Sequence, residues 1–304
     1  MRILITGGSG FIGSHLAESF QGEAEVRVLD DMSTGHARNL AGLEVDLRRG
    51  GILDEVALEG AMVGVDYVFH LAAMVSVPVS VNEPVRCEEL NGMGVVKVLE
   101  AAARAGVKKV FFASSAAVYG DNPVVPKTEA MLPEPKSPYA ITKLQGEFWC
   151  RFFHDEGKVR TAALRFFNVF GPRQDPRGAY AAAVPIFIEK ALKGDPITIY
   201  GDGLQTRDFI YVKDIVAAIR HVTLTPKLTG VRNAGYGGMI TVKDLAEKIV
   251  ALADSKSEII YLPERAGDVK HSRAAVDALA ATGFQPVSNL EEGLVATLAF
   301  FRGL

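Results

Sequence analysis

The strongest constraint on how this chain folds is a glycine-rich turn set between an apolar run and an amphipathic one, within residues 2–13. Ile3, Leu4 and Ile5 form an unbroken apolar run of the kind found in a parallel strand covered on both faces. After Thr6 the spacing is G-x-x-G-x-x-G. Gly7 lets the chain turn sharply, and Gly10 removes the Cβ that would hold the backbone away from a pyrophosphate. Gly13 lets the helix predicted over residues 11–21 pack close to the strand. The first N–H groups of that helix, at Phe11 and Ile12, face outward without helical partners and carry partial positive charge, a setting that suits phosphates.

A second strand, residues 25–29, ends at Asp30. A carboxylate there is placed to bond the ribose hydroxyls of an adenosine and would repel a 2′-phosphate, so NAD is favoured over NADP. The polar loop with Asp31, Ser33 and Gly35 falls beside the adenosine, and a short strand over 44–47 brings Asp46 and Leu47 to the adenine. A helix over 53–59 and a strand over 65–70 follow. Leu71, Ala72 and Ala73 are small enough at that strand end for the loop to lie against a cofactor. A long helical pattern runs from 84 to 105 with Asn91 inside it. The strand over 107–113 then delivers Ser114 and Ser115 to the carboxyl edge of the sheet, where open α/β sheets bind ligands.

A loop rich in proline, residues 121–138, leads to a helix starting near Tyr139, and a further strand spans 160–165. This alternation predicts an α/β fold with a Rossmann-type, doubly wound parallel sheet over residues 1–170. From about Gly171 the rhythm breaks. Helices over 185–193, 213–223 and 241–253, separated by short extended pieces, read as a smaller C-terminal α/β substrate lobe over 171–304, with some segments returning to the main sheet.

Composition excludes several classes. A net charge of −3 over 304 residues gives no polyanion signal, so no nucleic-acid partner is expected. There is no run of 18 apolar residues and no leader-like start, which predicts a cytoplasmic protein with no membrane segment. Cys87 and Cys150 fit neither a disulfide framework nor a zinc pattern, and His70 and His271 lack metal-site neighbours, so no metal is expected.

Tyr139 and Lys143 stand four apart, so on a helix they share a face. A phenol has an ordinary pKa near ~10. A neighbouring ammonium and a cationic cofactor ring would lower it, making Tyr139 a base for a sugar hydroxyl. Ser115, at a strand end, can bond the same oxygen. The strand-end serine, the helical tyrosine and lysine, and the dinucleotide turn together form a three-part catalytic pattern.

These motifs resemble the extended short-chain dehydrogenase/reductase family over essentially the whole chain. The likeness is carried by the N-terminal T-G-G-x-G-F-I-G, His70-Leu71-Ala72-Ala73, Ser114-Ser115-x-x-Val118-Tyr119-Gly120 and Ser137-Pro138-Tyr139-x-x-x-Lys143. Later pieces are similar to nucleotide-sugar epimerases: Arg165-x-Phe167-Asn168-Val169-Phe170-Gly171-Pro172, Gly201-Asp202-Gly203-x-Gln205-x-Arg207-Asp208-Phe209 and Arg265-x-Gly267-Asp268. Ser76-Val77-Pro78 with Ser80, and the stretch from Arg173 to Tyr180, are most like those acting on UDP-N-acetylglucosamine.

The resemblance implies NAD-dependent inversion at C4 of a UDP-hexose through a transient 4-keto sugar, with Ser115, Tyr139 and Lys143 as catalytic residues. It implies that Asn91, Ser114 and Phe166 adjoin the NAD, as do Tyr139 and Lys143, and that Ser76, Ser115 and Asn168 meet the sugar nucleotide. Arg207 and Arg265 would clamp its pyrophosphate, a contact suited to guanidinium. Asp268 would hold a ribose hydroxyl, and Val184 and Tyr200 would border the uracil. Ser272 takes the place that gates the substituent at sugar C2, where a small residue leaves room for N-acetyl.

Ala116 and Ala117 stand where dehydratase relatives carry Asp-Glu, which argues against dehydration. No specific signal for a decarboxylase is present. The alternatives left are another family enzyme (reductase, decarboxylase or dehydratase) and a non-catalytic nucleotide binder. The resemblance also implies a homodimer through a four-helix interface built from the helices near 91–105 and 139–154.

Overall fold

The computed structural model describes residues 1–177, 182–264 and 270–303. The N-terminal part contains β1 (Arg2–Thr6), α1 (Phe11–Ser19), β2 (Glu25–Asp30), β3 (Val45–Arg49), α2 (Glu55–Met62) and β4 (Tyr67–His70). Next come α3 (Val77–Asn82), α4 (Pro84–Cys87), α5 (Gly94–Arg104), β5 (Lys109–Ser115), α6 (Pro138–Asp155), β6 (Arg160–Phe166) and β7 (Asn168–Phe170). The rest comprises α7 (Ala183–Lys193), β8 (Ile197–Tyr200), β9 (Thr206–Arg207), β10 (Phe209–Tyr211), α8 (Val212–Leu224) and β11 (Gly230–Ala234). Last are β12 (Ile240–Thr241), α9 (Val242–Ala253), β13 (Ile259–Leu262), α10 (Asp277–Ala280) and α11 (Leu290–Arg302).

A seven-stranded sheet has the order β11-β6-β5-β4-β1-β2-β3. β2 and β4 flank β1, all parallel, so the chain reverses its direction of travel across the sheet beside the glycine turn. In a doubly wound sheet that switch point opens the crevice where ligands lie. Ile3, Leu4 and Ile5 are fully buried, as an apolar run between two helical layers requires.

The chain divides into two compact units. The first comprises Met1–Val118, Pro135–Arg165 and Val216–Arg232; the second comprises Tyr119–Glu134, Phe166–Ile215 and Asn233–Leu304. The core of the first unit joins Leu4, Leu29, Val68, Val98, Leu99, Phe112 and Cys150. In the second unit, paired short strands stand beside α7, α9 and α11; β10 pairs with β7 in parallel and β13 with β8 in parallel.

The helix expected over 84–105 is interrupted. α4 gives way to a π-helical turn at Glu88–Met93 before α5 begins. Gly92 and Gly94 permit this path: a Cβ on Gly92 would meet Glu88 Oε1, and one on Gly94 would lie 2.6 Å from Ile52 Cδ1. π-Turns gather at functional sites because the extra residue re-aims a side chain, and here that side chain is Asn91. α3, α10 and α11 are not among the expected helices. α11 carries a reciprocal capping box between Asn289 and Glu292, a local signal that is legible in the sequence.

Candidate active site

In the first unit, the glycine turn is held shut from several sides. Gly7 has φ of 72°, and a Cβ there would come within 2.8 Å of the Ala72 nitrogen. Around Gly10 only the Gly7 carbonyl is near, at 3.3 Å, so the space before the turn is open to a ligand. α1 starts at Gly10 with no side-chain cap, which leaves the N–H groups at its first turn facing that space. Gly13 packs so tightly that a Cβ there would collide with the Gly7 oxygen.

The buried carboxylate of Asp30 accepts the Ser9 N–H and the Met32 N–H, each at 2.8 Å. It therefore ties the turn to the end of β2. Gly35 is buried next to Ser9 and Asp30, whereas Asp31 and Ser33 are exposed and bonded to each other. Leu47 is half-buried on β3. Asp46 does not present a free carboxylate to an adenine. It is bonded to Arg27 and Arg48, each at 2.8 Å, and the Arg48 contact in particular holds its carboxyl below the usual range.

The loop after β4 is organised by buried polar side chains. Thr6 Oγ1 pairs with His70 Nδ1 at 2.8 Å and accepts the Ala72 N–H at 3.3 Å. Burial drives His70 down to about 3, with the Lys143 charge adding to the effect, so its ring is neutral at physiological pH. Leu71 and Ala73 beside it are half-buried. Asn91 grips Met74 twice, accepting its N–H at 2.8 Å and donating to its carbonyl at 3.0 Å, and it also donates to Thr142 Oγ1. Its buried amide thus joins the loop to the helix that carries Tyr139.

α6 begins at Ser137, whose side chain accepts the Ala140 N–H, with Pro138 at the first helical position, where a missing N–H costs nothing. Ser80, buried on α3, accepts the Tyr139 N–H at 3.1 Å and donates to the Val77 carbonyl. Ser76 caps α3 through the Val79 N–H. Tyr139, Lys143 and Glu147 then follow at intervals of one helical turn. Lys143 Nζ donates to the Ala113 carbonyl at 2.8 Å and lies 5.6 Å from the centre of the Tyr139 ring. Burial lowers Lys143 to about 8.

The Tyr139 phenol is bonded to Ser115, so the expected trio meets. Its titration differs from expectation. Burial raises the phenol above its ordinary value and outweighs the pull from Ser115, because a phenolate in a dry site loses its hydration. The Ser114 hydroxyl is buried and donates to Glu147, which also holds Arg165 through two bonds. Following β5, Ala117 N–H donates to Ser115 Oγ and fixes the serine rotamer. Neither Ala116 nor Ala117 can act as an acid there.

In the second unit, Phe166 ends β6 and Asn168 starts β7. Asn168 donates both its N–H and its side-chain amide to the Asp208 carbonyl. Arg207, on β9, donates to the Thr206 carbonyl at 2.9 Å. Ser272 N–H donates to that same carbonyl at 3.1 Å, so Arg207 and Ser272 lie on adjoining extended segments. Tyr200 ends β8, half-buried. Val184 is fully buried in α7, and its side chain belongs to the core instead of a surface that could border a base. Arg265, Asp268 and Tyr180 lie outside the described residues. Among the described residues no group of three or more His, Cys, Asp or Glu is placed to hold a metal, and no helix is long and apolar enough to cross a membrane.

Residues 3–234 match the NAD dependent epimerase/dehydratase family. The chain is 37% identical to a UDP-glucose 4-epimerase of Mycolicibacterium smegmatis, over 99% of each chain. It is 33% identical to UDP-glucuronic acid decarboxylase 1 of Danio rerio, over 99% of this chain and 72% of that one. Among solved structures it is similar to a UDP-N-acetylglucosamine 4-epimerase from Methanobrevibacter ruminantium M1 in complex with UDP-N-acetylmuramic acid. There the TM-score is 0.96 at 40% identity, over 99% of this chain and 98% of that one. A Thermus thermophilus UDP-glucose 4-epimerase complex with NAD superposes with a TM-score of 0.92 at 36% identity, over 100% of this chain and 99% of that one. A match over most of the chain, together with the glycine cradle and the Ser115–Tyr139–Lys143 cluster, places this protein in the NAD-dependent epimerase/dehydratase family.

Proposed function

We propose that the protein inverts C4 of a UDP-hexose, acting on UDP-GlcNAc and UDP-GalNAc and also on UDP-glucose and UDP-galactose. The observation that carries this reading is the Ser115–Tyr139–Lys143 cluster with alanines at 116 and 117. The site keeps a base for the 4-hydroxyl, and alanine instead of a carboxylic acid stands at 116 and 117, where an acid would be needed to expel the 6-hydroxyl. The glycine cradle fits a dinucleotide: Gly7, Gly10 and Gly13 leave the backbone clear, and the N–H groups of Phe11 and Ile12 would hold the pyrophosphate. Asp30 would lie toward the adenosine ribose, and Ala72 and Ala73 toward the nicotinamide end. When bound, NAD supplies a hydride acceptor for C4, yielding a 4-keto sugar, and in its oxidised form a positive charge.

Tyr139 holds the proton that leaves and returns at the C4 oxygen. Ser115 bonds that oxygen and steadies it. Lys143 sets its ammonium 5.6 Å from the centre of the phenol ring, and the positive charge of an oxidised nicotinamide would add to the pull on the phenol proton. Arg207 bonds the pyrophosphate, and Asn168 bonds the nucleotide near its phosphates. Ser272 leaves room beside C2, which favours acceptance of the N-acetyl group.

Interconversion of UDP-GlcNAc with UDP-GalNAc, followed without stoichiometric added NAD, is the direct test. Net consumption of a nicotinamide cofactor, or release of carbon dioxide or water from the sugar, would replace epimerisation with reduction, decarboxylation or dehydration.

The protein also pairs as a homodimer through α3 to α6. Val81, Val85, Met93, Ile141 and Phe148 stand exposed on that part of the first unit, with Phe148 61% accessible. Apolar surface of this kind marks an association site. Light scattering should give the mass of two chains, falling to one in Phe148→Lys; an unchanged mass in the variant would rule out this face.

A further inference from the structure

We propose that Asp208 is a positioning residue for sugar-nucleotide recognition, fixing Asn168, Arg207 and the segment bearing Ser272 in one arrangement. The proposal rests on the function inferred above. Asp208 is completely buried. Its Oδ1 accepts the Tyr236 N–H at 2.9 Å, and its Oδ2 accepts the Gly237 N–H at 3.0 Å and the Ala274 N–H at 2.9 Å. Its own carbonyl accepts the N–H and the side-chain amide of Asn168, each at 3.1 Å.

These partners come from segments far apart in the chain. Arg207 directly precedes the hub. The extended stretch with Ser272 is laid along β9 by the Thr206 N–H donating to the Lys270 carbonyl and the Ser272 N–H donating to the Thr206 carbonyl. It is pinned again two residues later, where Ala274 donates to the carboxylate. Arg273 Nε then donates to the Gly237 carbonyl at 2.8 Å, joining the two segments that Asp208 already gathers.

Packing alone does not call for a carboxylate in such a place. Burying one is costly unless its lone pairs are filled, and burial does raise this carboxyl above its ordinary range against the pull of the three N–H groups. The compensation is geometric: two acceptor oxygens on one carbon hold three loop N–H groups that neither helix nor sheet satisfies. A carboxamide of the same shape has one acceptor oxygen, and its NH₂ would face a donor.

Asp208→Asn is therefore the first test. Its KM for UDP-glucose or UDP-GlcNAc should rise at least tenfold while kcat stays within threefold and NAD retention is unchanged. A purely structural role would instead reduce the active fraction and leave KM alone. Without ligand, amide hydrogen exchange should quicken at residues 236–237 and 271–275. Gly235→Ala provides a second route, because a Cβ there would come within 2.6 Å of Ala274 Cβ and 2.7 Å of Asp208 Oδ2, pressing on the hub and one of its partners while the carboxylate remains. It should raise KM in the same direction.

A folded Asp208→Asn or Gly235→Ala protein with wild-type KM overturns the proposal, as does wild-type amide exchange at 271–275 in Asp208→Asn. Titration of the wild type with UDP keeps the two inferences separate. Failure of the wild type to bind UDP would count against the proposed function, and amide exchange would still decide whether Asp208 holds the strand.

Discussion

The groups proposed to react and those proposed to hold the sugar nucleotide are built on opposite plans. In the first unit Ser115, Tyr139 and Lys143 sit on β5 and α6, close in sequence, and a regular helix sets the phenol and ammonium side by side. In the second unit Asn168, Arg207 and Ser272 are spread over more than a hundred residues, on short strands and connecting segments. A hub made of one acidic residue gathers them. The electrostatics differ as well. Lys143 is a buried cation whose charged form is disfavoured by its surroundings, whereas Asp208 is a buried anion wrapped in backbone dipoles. Proton transfer needs fixed distances between few atoms, which a helix provides cheaply. Holding an extended nucleotide needs several distant segments to agree, which secondary structure alone does not provide. Damage to the first plan should therefore appear in kcat and damage to the second in KM.

The sharpest way to break that division is Tyr139→Phe. The variant removes one hydroxyl, bonded to Ser115, and leaves the ring in place. General acid–base groups contribute roughly 10²–10⁴-fold to rate. A fall in kcat of that order is expected, with UDP affinity and NAD content unchanged, measured by interconversion assays and by calorimetric titration with UDP. Retention of more than about a tenth of wild-type turnover, well outside that general acid–base range, would remove Tyr139 from the centre of the chemistry. A large loss of UDP affinity would show that the two sets of residues are not separable.

The same contrast explains what could be read from the sequence. The α/β fold and its central sheet were legible because each signal was local: an apolar run, glycines at set intervals, a tyrosine and a lysine one helical turn apart. Signals that depend on distant partners were not. Nothing near Asp46 announces that Arg27, on the neighbouring strand, will share its carboxylate with Arg48. Nothing near Asn91 shows that its amide will grip Met74, although Gly92 and Gly94 hint at an irregular helix. For the phenol of Tyr139 the sequence displays the ammonium neighbour and implies a cationic cofactor ring, but burial, which a sequence does not display, reverses the direction in the free protein. Asp208 sits inside a motif that the sequence already marks, but its role depends on Tyr236, Gly237 and Ala274, which only folding brings near. The helical register from Tyr139 through Lys143 to Glu147 is legible in the sequence, since that spacing alone places a carboxyl group on the same face as the ammonium.

A smaller effect sharpens the division within the recognition half. Ser272 is half-buried on the segment that Thr206 and Asp208 hold in place, so a larger side chain there has little freedom to swing the backbone away. Ser272→Tyr should lower kcat/KM for UDP-GlcNAc relative to UDP-glucose by about tenfold, or ~1.4 kcal/mol of discrimination. The bulk meets the N-acetyl group and not the hydroxyl that replaces it. Relative kcat/KM values from parallel assays with both sugars decide the matter. Because the segment is anchored at both ends, the loss should fall on one substrate; equal losses on both would mean that the tyrosine had displaced the strand, so that Ser272 serves the anchoring and not the choice of sugar.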